Sequence, residues 1–181
     1  MMAMHSADWR RALVEAYPDL FHPHGHPPVA QGWPEVGDGW GDLLRRACGR
    51  IGEAVRADGG SFRAAQIKEK FGTLRFYWQG SLSPEAAALV EEAIALAEAR
   101  SATTCDVCGE EGRLRDDLWM VTRCDAHAEG RRAVETRPGF DNIHVVRRVV
   151  GGRRQTTARR YDRATDTFVV VDPGSLGIEE D

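Results

Sequence analysis

The chain has 181 residues, 42% of them hydrophobic, with four cysteines and a formal net charge of −4, which suits one domain, or one domain and a small appendage, around a real core. No stretch approaches the roughly eighteen apolar residues of a membrane span, and MMAMHSADWR lacks the basic-then-apolar order of a signal peptide, so a soluble cytoplasmic protein with no membrane partner is expected. The acidic balance argues against a uniform nucleic-acid coat, yet seven arginines and a single acid, Asp162, fall between Asn142 and Arg163.

In chain order, Ser6 can cap a short helix that places Trp9 and Leu13 on one face before Pro18 stops it. The stretch FHPHGHPPVAQGWPEVGDG is too rich in proline and glycine for a regular element and reads as a long loop packed by Phe21, Trp33 and Val36. His22, His24 and His26 alternate within it; an extended backbone would align their imidazoles for a second metal, but no acid or cysteine completes a set, and a polar loop is the simpler reading. From Trp40 to Ala57, the residues Trp40, Leu43, Leu44, Ala47, Ile51 and Val55 recur at helical spacing. Cys48 on that helix reads as a small core residue.

FRAAQIKEK and TLRFYW predict a β-hairpin turning at Phe71 and Gly72. Leu74, Phe76 and Trp78 then share the core face, while Arg75 and Tyr77 lie on the other with Lys68 and Lys70 opposite. Lys68 and Lys70 are the only lysines among 24 basic residues, and a compact ammonium differs from a guanidinium in geometry and hydration. Ser83-Pro84-Glu85 starts a second long helix running to about Arg100 with Leu89, Val90, Ala93, Ile94 and Ala97 buried. NIHVVRRVV, RRQTTARRY and TFVVV predict a β-meander, with Gly151-Gly152 as a turn that pairs Val149 with Arg154 and Val146 with Thr157. Its doublets Arg147-Arg148, Arg153-Arg154 and Arg159-Arg160 put charge on both faces, either to contact a partner or to protect a solvated edge.

Between helix and meander, Cys105-x2-Cys108 is followed fifteen residues later by Cys124-x2-His127. Two short pairs of this kind fit one tetrahedral Zn2+ whose four positions are all filled by protein, a structural site. GRLRDDLWMVTR predicts a hairpin and AHAEGRRAVE a short helix carrying His127, which together make a treble-clef-like module. Three thiolates, a neutral imidazole and Zn2+ sum to −1, and Arg113, Arg115 and Arg123 are the residues placed to compensate it.

KEKFGTLRFYW, preceded by GDGW and followed by a helix ending in ARSATTCDVCG, resembles a family of small bacterial and phage or prophage proteins that share KEKFG-x-LRFY, a helix, and C-x2-C with a later C-x2-H. The resemblance covers roughly residues 33 to 130 and implies a shared fold and zinc site, with Cys105, Cys108, Cys124 and His127 as ligands; it implies no activity. The arginine-rich stretch after His127 departs from the family pattern.

The expectation is thus an α+β fold: helices packed on a β-hairpin (1–100), a treble-clef-like zinc module (101–140), an arginine-rich C-terminal β-meander (141–172) and a mobile tail (173–181). A non-enzymatic, zinc-stabilised protein is the leading functional reading. Its partner, nucleic acid or an acidic protein, would meet Lys68, Lys70, Arg75 and Tyr77, the arginine ribbon, or both. The alternative is an immunity or inhibitor protein that neutralises a toxin or host defence enzyme. A metal-dependent hydrolase or nuclease would need an open metal position or a nucleophile and base, and no motif such as G-x-S-x-G supplies one.

Overall fold

The computed structural model describes residues 6–22 and 30–178. Helix α1 (Ser6–Ala16) ends ahead of Pro18, which then occupies the first position of a short helix, α2 (Pro18–Phe21), where its missing N–H costs nothing. Phe21 is therefore helical and fully buried. His24 and His26 lie outside the described residues; His22 follows α2 and is half-buried.

The segment read as a long loop contains a strand. β1 (Pro34–Glu35) runs parallel to β2 (Ser61–Lys70), and β2 pairs antiparallel with β3 (Thr73–Ser81), giving the order β1-β2-β3. Trp33, expected to pack the loop, is 42% exposed, because Pro34, fully buried, takes the inward place in this two-residue alternation. Helix α3 (Gly41–Asp58) buries the expected face, and Gly59 ends it in the left-handed conformation. Helix α4 (Pro84–Ser101) starts as expected, with Ser83 Oγ accepting from Ala86 N at 3.2 Å.

One face of the β1-β2-β3 sheet packs on α3 and α4 through Phe62, Ala64, Ile67, Leu74 and Phe76, which join Trp40, Leu44, Ile51, Val90 and Ile94 in the main core. Leu89 is 61% exposed, contrary to expectation. The second apolar face of α4 instead carries Leu96 and Ala99, which pack with Tyr161 and Phe168, and Leu89 belongs to neither face.

Beyond α4, β4 (Arg113–Asp116) pairs with β5 (Val121–Arg123) and with β6 (Arg132–Ala133). The meander forms as β7 (Ile143–Val150), β8 (Arg153–Asp162) and β9 (Thr167–Val171), in that order across the sheet. Its register pairs Val149 with Arg154 and Val146 with Thr157. β9 covers only Ala158–Asp162 of β8, so residues 146–157 pair only with each other, as a two-stranded arm roughly 17 Å long at strand rise, with Thr156 near its base buried.

The arm's base is anchored. Asp166, in the β8–β9 turn and 4% exposed, lies 2.8 Å from Arg50 of α3 and 3.7 Å from Arg100 of α4, and accepts from the Tyr161 hydroxyl at 2.7 Å. Pro173–Leu176, expected to be part of a mobile tail, forms a 3-10 helix against β8 with Leu176 buried, and Asp172 accepts from Gly174 N at its start.

Candidate metal centre

The centre rests on two backbone turns that face each other. After α4, the chain turns through Cys105–Cys108, with Gly109 N donating to Cys105 O at 3.0 Å; after β5, Cys124 leads a 3-10 turn, Asp125–His127. The expected helix from Ala126 is not formed. Glu129 (φ 50°) and Gly130 (φ 78°) take left-handed conformations, which reverse the chain into β6 after one turn. A hairpin flanked by two ligand-bearing turns results, in place of a hairpin followed by a ligand-bearing α-helix.

Cys105, Cys108, Cys124 and His127 bring their ligand atoms within 4.8 Å of one another. Cys108 and Cys124 Sγ are 3.8 Å apart, and His127 Nδ1 is 3.6 Å from Cys105 Sγ and 3.2 Å from Cys124 Sγ. A zinc tetrahedron with Zn–S of about 2.3 Å and Zn–N of about 2.0 Å has edges of about 3.8 Å between sulfurs and about 3.6 Å from sulfur to nitrogen. The residues therefore fit the ion, with Nδ1 as the imidazole donor. Burial raises the Cys105 thiol, but backbone N–H groups of Cys124, Cys108 and Val107 outweigh it and hold the group at about 7. Cys108 is pushed up to about 11 by burial and by the neighbouring sulfurs.

Arginines stand behind the ligands, each tied to an acid beside one. Arg115, 5% exposed, donates to the carbonyls of Arg123 and Arg131 and to Asp125. Arg123 reaches Asp106 at 3.1 Å and Glu129 at 2.7 Å, so it joins the two turns. Arg113 is more remote, 3.8 Å from Asp125. These pairs orient the loops that present the ligands.

The first turn is interlocked with the rest of the fold. Gly39 N donates to Asp106 O at 2.9 Å, and Trp40 Nε1 donates to Thr104 O at 2.9 Å. A Cβ on Gly39 would lie 2.1 Å from Cys105 O, and one on Gly37 would lie 2.1 Å from Asp106 O, so the GDGW stretch is built for close backbone approach. On the other side, Thr122 Oγ1 donates to Gly72 O at 2.7 Å, while Gly72 N donates to Glu69 Oε1 at 2.6 Å. The KEKFG turn thus seats directly on the module that holds the four ligands.

The remaining residues singled out from sequence separate into tied and untied groups. Arg75 donates to Thr73 Oγ1 and to Leu74 O, both at 2.7 Å, and lies 3.8 Å from Glu98, so it is held on its own strand and toward α4. Arg159 pairs with Glu92 at 2.7 Å and stacks 4.0 Å from the Phe168 ring; Arg160 donates to Gly139 O. Those two fix the base of the arm. Arg147, Arg148, Arg153 and Arg154 are exposed and have no acidic partner among the described residues. Lys68, half-buried, and Lys70, exposed, likewise lack one, with ammonium groups 5.8 Å from the Tyr77 ring and 5.2 Å from the Phe71 ring. Asp166 was missed because in DRATD it looks like any polar turn residue. Cys48 is fully buried, and burial raises its thiol to about 12, as befits a core residue.

Fold and site define a mixed α+β protein built around a candidate Cys3His metal centre, with a cluster of exposed arginines on the β7–β8 arm and, among the described residues, no helix long and apolar enough to cross a membrane. Comparison of the chain with family models, curated proteins and solved structures finds no match.

Proposed function

We propose that this is a non-catalytic, zinc-stabilised binding protein that grips nucleic acid with the β7–β8 arm. The observation that carries the reading is the placement of the four untied arginines. The register sets Arg147 and Arg154 on one face of the arm and Arg148 and Arg153 on the other. A groove of duplex nucleic acid has a phosphate wall on each side and admits a two-stranded ribbon. An arm charged on both faces can meet both walls, whereas a flat acidic protein surface would engage only one. Val149 and Val150, 72% and 58% exposed at the tip, would then lie toward sugars and base edges.

Anisotropy titration of labelled duplex against salt tests the proposal. Replacing Arg147, Arg148, Arg153 and Arg154 together by alanine is expected to flatten the slope of log K against log salt by about 3 to 4, with zinc content and melting temperature unchanged. Wild-type protein that fails to bind duplex at low salt would remove this reading and leave the acidic-protein partner, with the inhibitor role first.

A further inference from the structure

The β1-β2-β3 sheet has helices on one face only. Its other face is uncovered among the described residues, and its composition follows from the register. Gln66 stands opposite Tyr77, and Lys68 lies between Glu35 on β1 and Arg75 on β3. Trp33 immediately precedes β1, whose Pro34 pairs with Ile67, so it stands at the end of β1 nearest Gln66. The adjoining Gly32 passes close over β2, where a Cβ would meet Ala64 at 2.7 Å.

Gln66 and Tyr77 pair across β2 and β3, Trp33 leads into β1 beside them, and the Trp33 and Tyr77 rings are 42% and 47% exposed. The next rows along the sheet carry Lys68 and then Lys70. Two large rings left in solvent on a sheet face, beside cations without acidic partners, do not serve the core. Glu35 is the one acid in these rows, and it makes no ion pair with Lys68 among the described residues.

We infer that this face binds single-stranded nucleic acid, with unpaired bases stacked on Tyr77 and Trp33 and backbone phosphates beside Lys68 and Lys70. The stacking surface selects the partner. An unpaired base offers a π-face to any aromatic ring, and single-strand sites combine such platforms with a cationic track; in a duplex those faces are already stacked on each other. An acidic peptide would satisfy the lysines but would give the two rings no role. The Lys68 ammonium over the Tyr77 ring places a phosphate-binding charge next to a base-stacking surface, and a compact ammonium can serve both. The two lysines of the chain thus lie where a point charge is wanted beside a ring, while arginine serves the arm and the ion pairs.

This site is separate from the arm, and the test keeps them apart. A short labelled oligothymidylate is titrated with the full zinc-loaded chain, with Tyr77→Ala, Tyr77→Phe, Trp33→Ala, Lys68→Ala with Lys70→Ala, and the fourfold arm variant. Tyr77→Ala and Trp33→Ala are each expected to weaken binding about tenfold, with Tyr77→Phe retaining it because the ring persists. The double lysine variant is expected to flatten the salt slope by about 1.4, and the tenfold loss from Tyr77→Ala to persist in the arm-variant background. Equal affinity of wild type and Tyr77→Ala, or loss confined to the arm variant, overturns the inference while leaving the duplex reading standing. No oligothymidylate binding at low salt overturns it too, and poly-glutamate binding that depends on Lys68 and Lys70 would then reassign the face to an acidic peptide.

Discussion

Two hairpin tips in this molecule have nearly the same backbone and opposite fates. At the β2–β3 tip, Phe71 and Gly72 have φ of 54° and 77°; at the β7–β8 tip, Gly151 and Gly152 have φ of 58° and 79°. Both are two-residue turns that require positive φ at each central position. The first carries a phenylalanine in a conformation that costs about 1 kcal/mol, offset by the bonds from Glu69 and Thr122 that hold the next residue. At the second, a Cβ added to either glycine would meet nothing within 4 Å. Local turn chemistry alone does not tell a clamped tip from a free one; what the tip rests on does.

The largest expected effect comes from removing the clamp's foundation. Cys105→Ser, or chelation of the metal, is expected to lower stability by on the order of 5 kcal/mol, a fall in Tm of roughly 10–20 °C, with one zinc per chain lost by atomic absorption. A Tm that stays in place while zinc is lost would detach the tip from the metal centre. Next, the same substitution can be made at both tips. Gly72→Ala puts a Cβ 2.5 Å from Leu114 and 3.2 Å from the Val121 backbone and is expected to cost about 3 kcal/mol in denaturant melts. Gly152→Ala has the φ penalty alone, about 1 kcal/mol. Equal costs would mean that the contact with the candidate metal module contributes nothing.

Between those two values lies the anchor of the arm. Burial opposes ionisation of Asp166, but bonds from Tyr161 and Arg50 and the charges of Arg50 and Arg100 outweigh it and hold the carboxyl below its ordinary value of 3.8. A depressed folded pKa stabilises above the ordinary value, and that contribution is lost as pH falls through the folded one. Asp166→Asn is expected to cost about 2 kcal/mol near neutral pH and to flatten the acid limb of the stability profile below about pH 4. Amide exchange in β8 and β9 should rise before exchange in α3; uniform loosening would contradict a local anchor. The smallest effect is expected at the free tip, where the fourfold arginine-to-alanine variant should change stability by less than about 0.5 kcal/mol while abolishing most salt-dependent duplex binding.

Much of this was readable from the residues, for reasons that differ by element. The four ligands have short, paired spacings, and chelation within one turn demands them. Both hairpin registers followed from two-residue turns with alternating strands on either side. Two of the misreadings share another cause: each depended on a partner remote in sequence. β1 exists because β2, some thirty residues on, offers it an edge. Arg159 is engaged by Glu92 of α4, a partner that its own segment does not reveal. The helix expected after His127 failed where Glu129 and Gly130 turn left-handed, and a glutamate there gives no local warning.

Gly37 and Gly39 carry a consequence for inheritance. Their missing side chains are the space occupied by the backbone of the first cysteine turn, so the metal-binding segment is not a cassette that can be exchanged by recombination at its sequence boundary. A donor segment would arrive without its matching glycines more than sixty residues upstream, and any other residue at Gly39 would collide with it. Loop and turn therefore persist or decay together, while the arm beyond β9, which touches neither, is free to be gained, lengthened or lost.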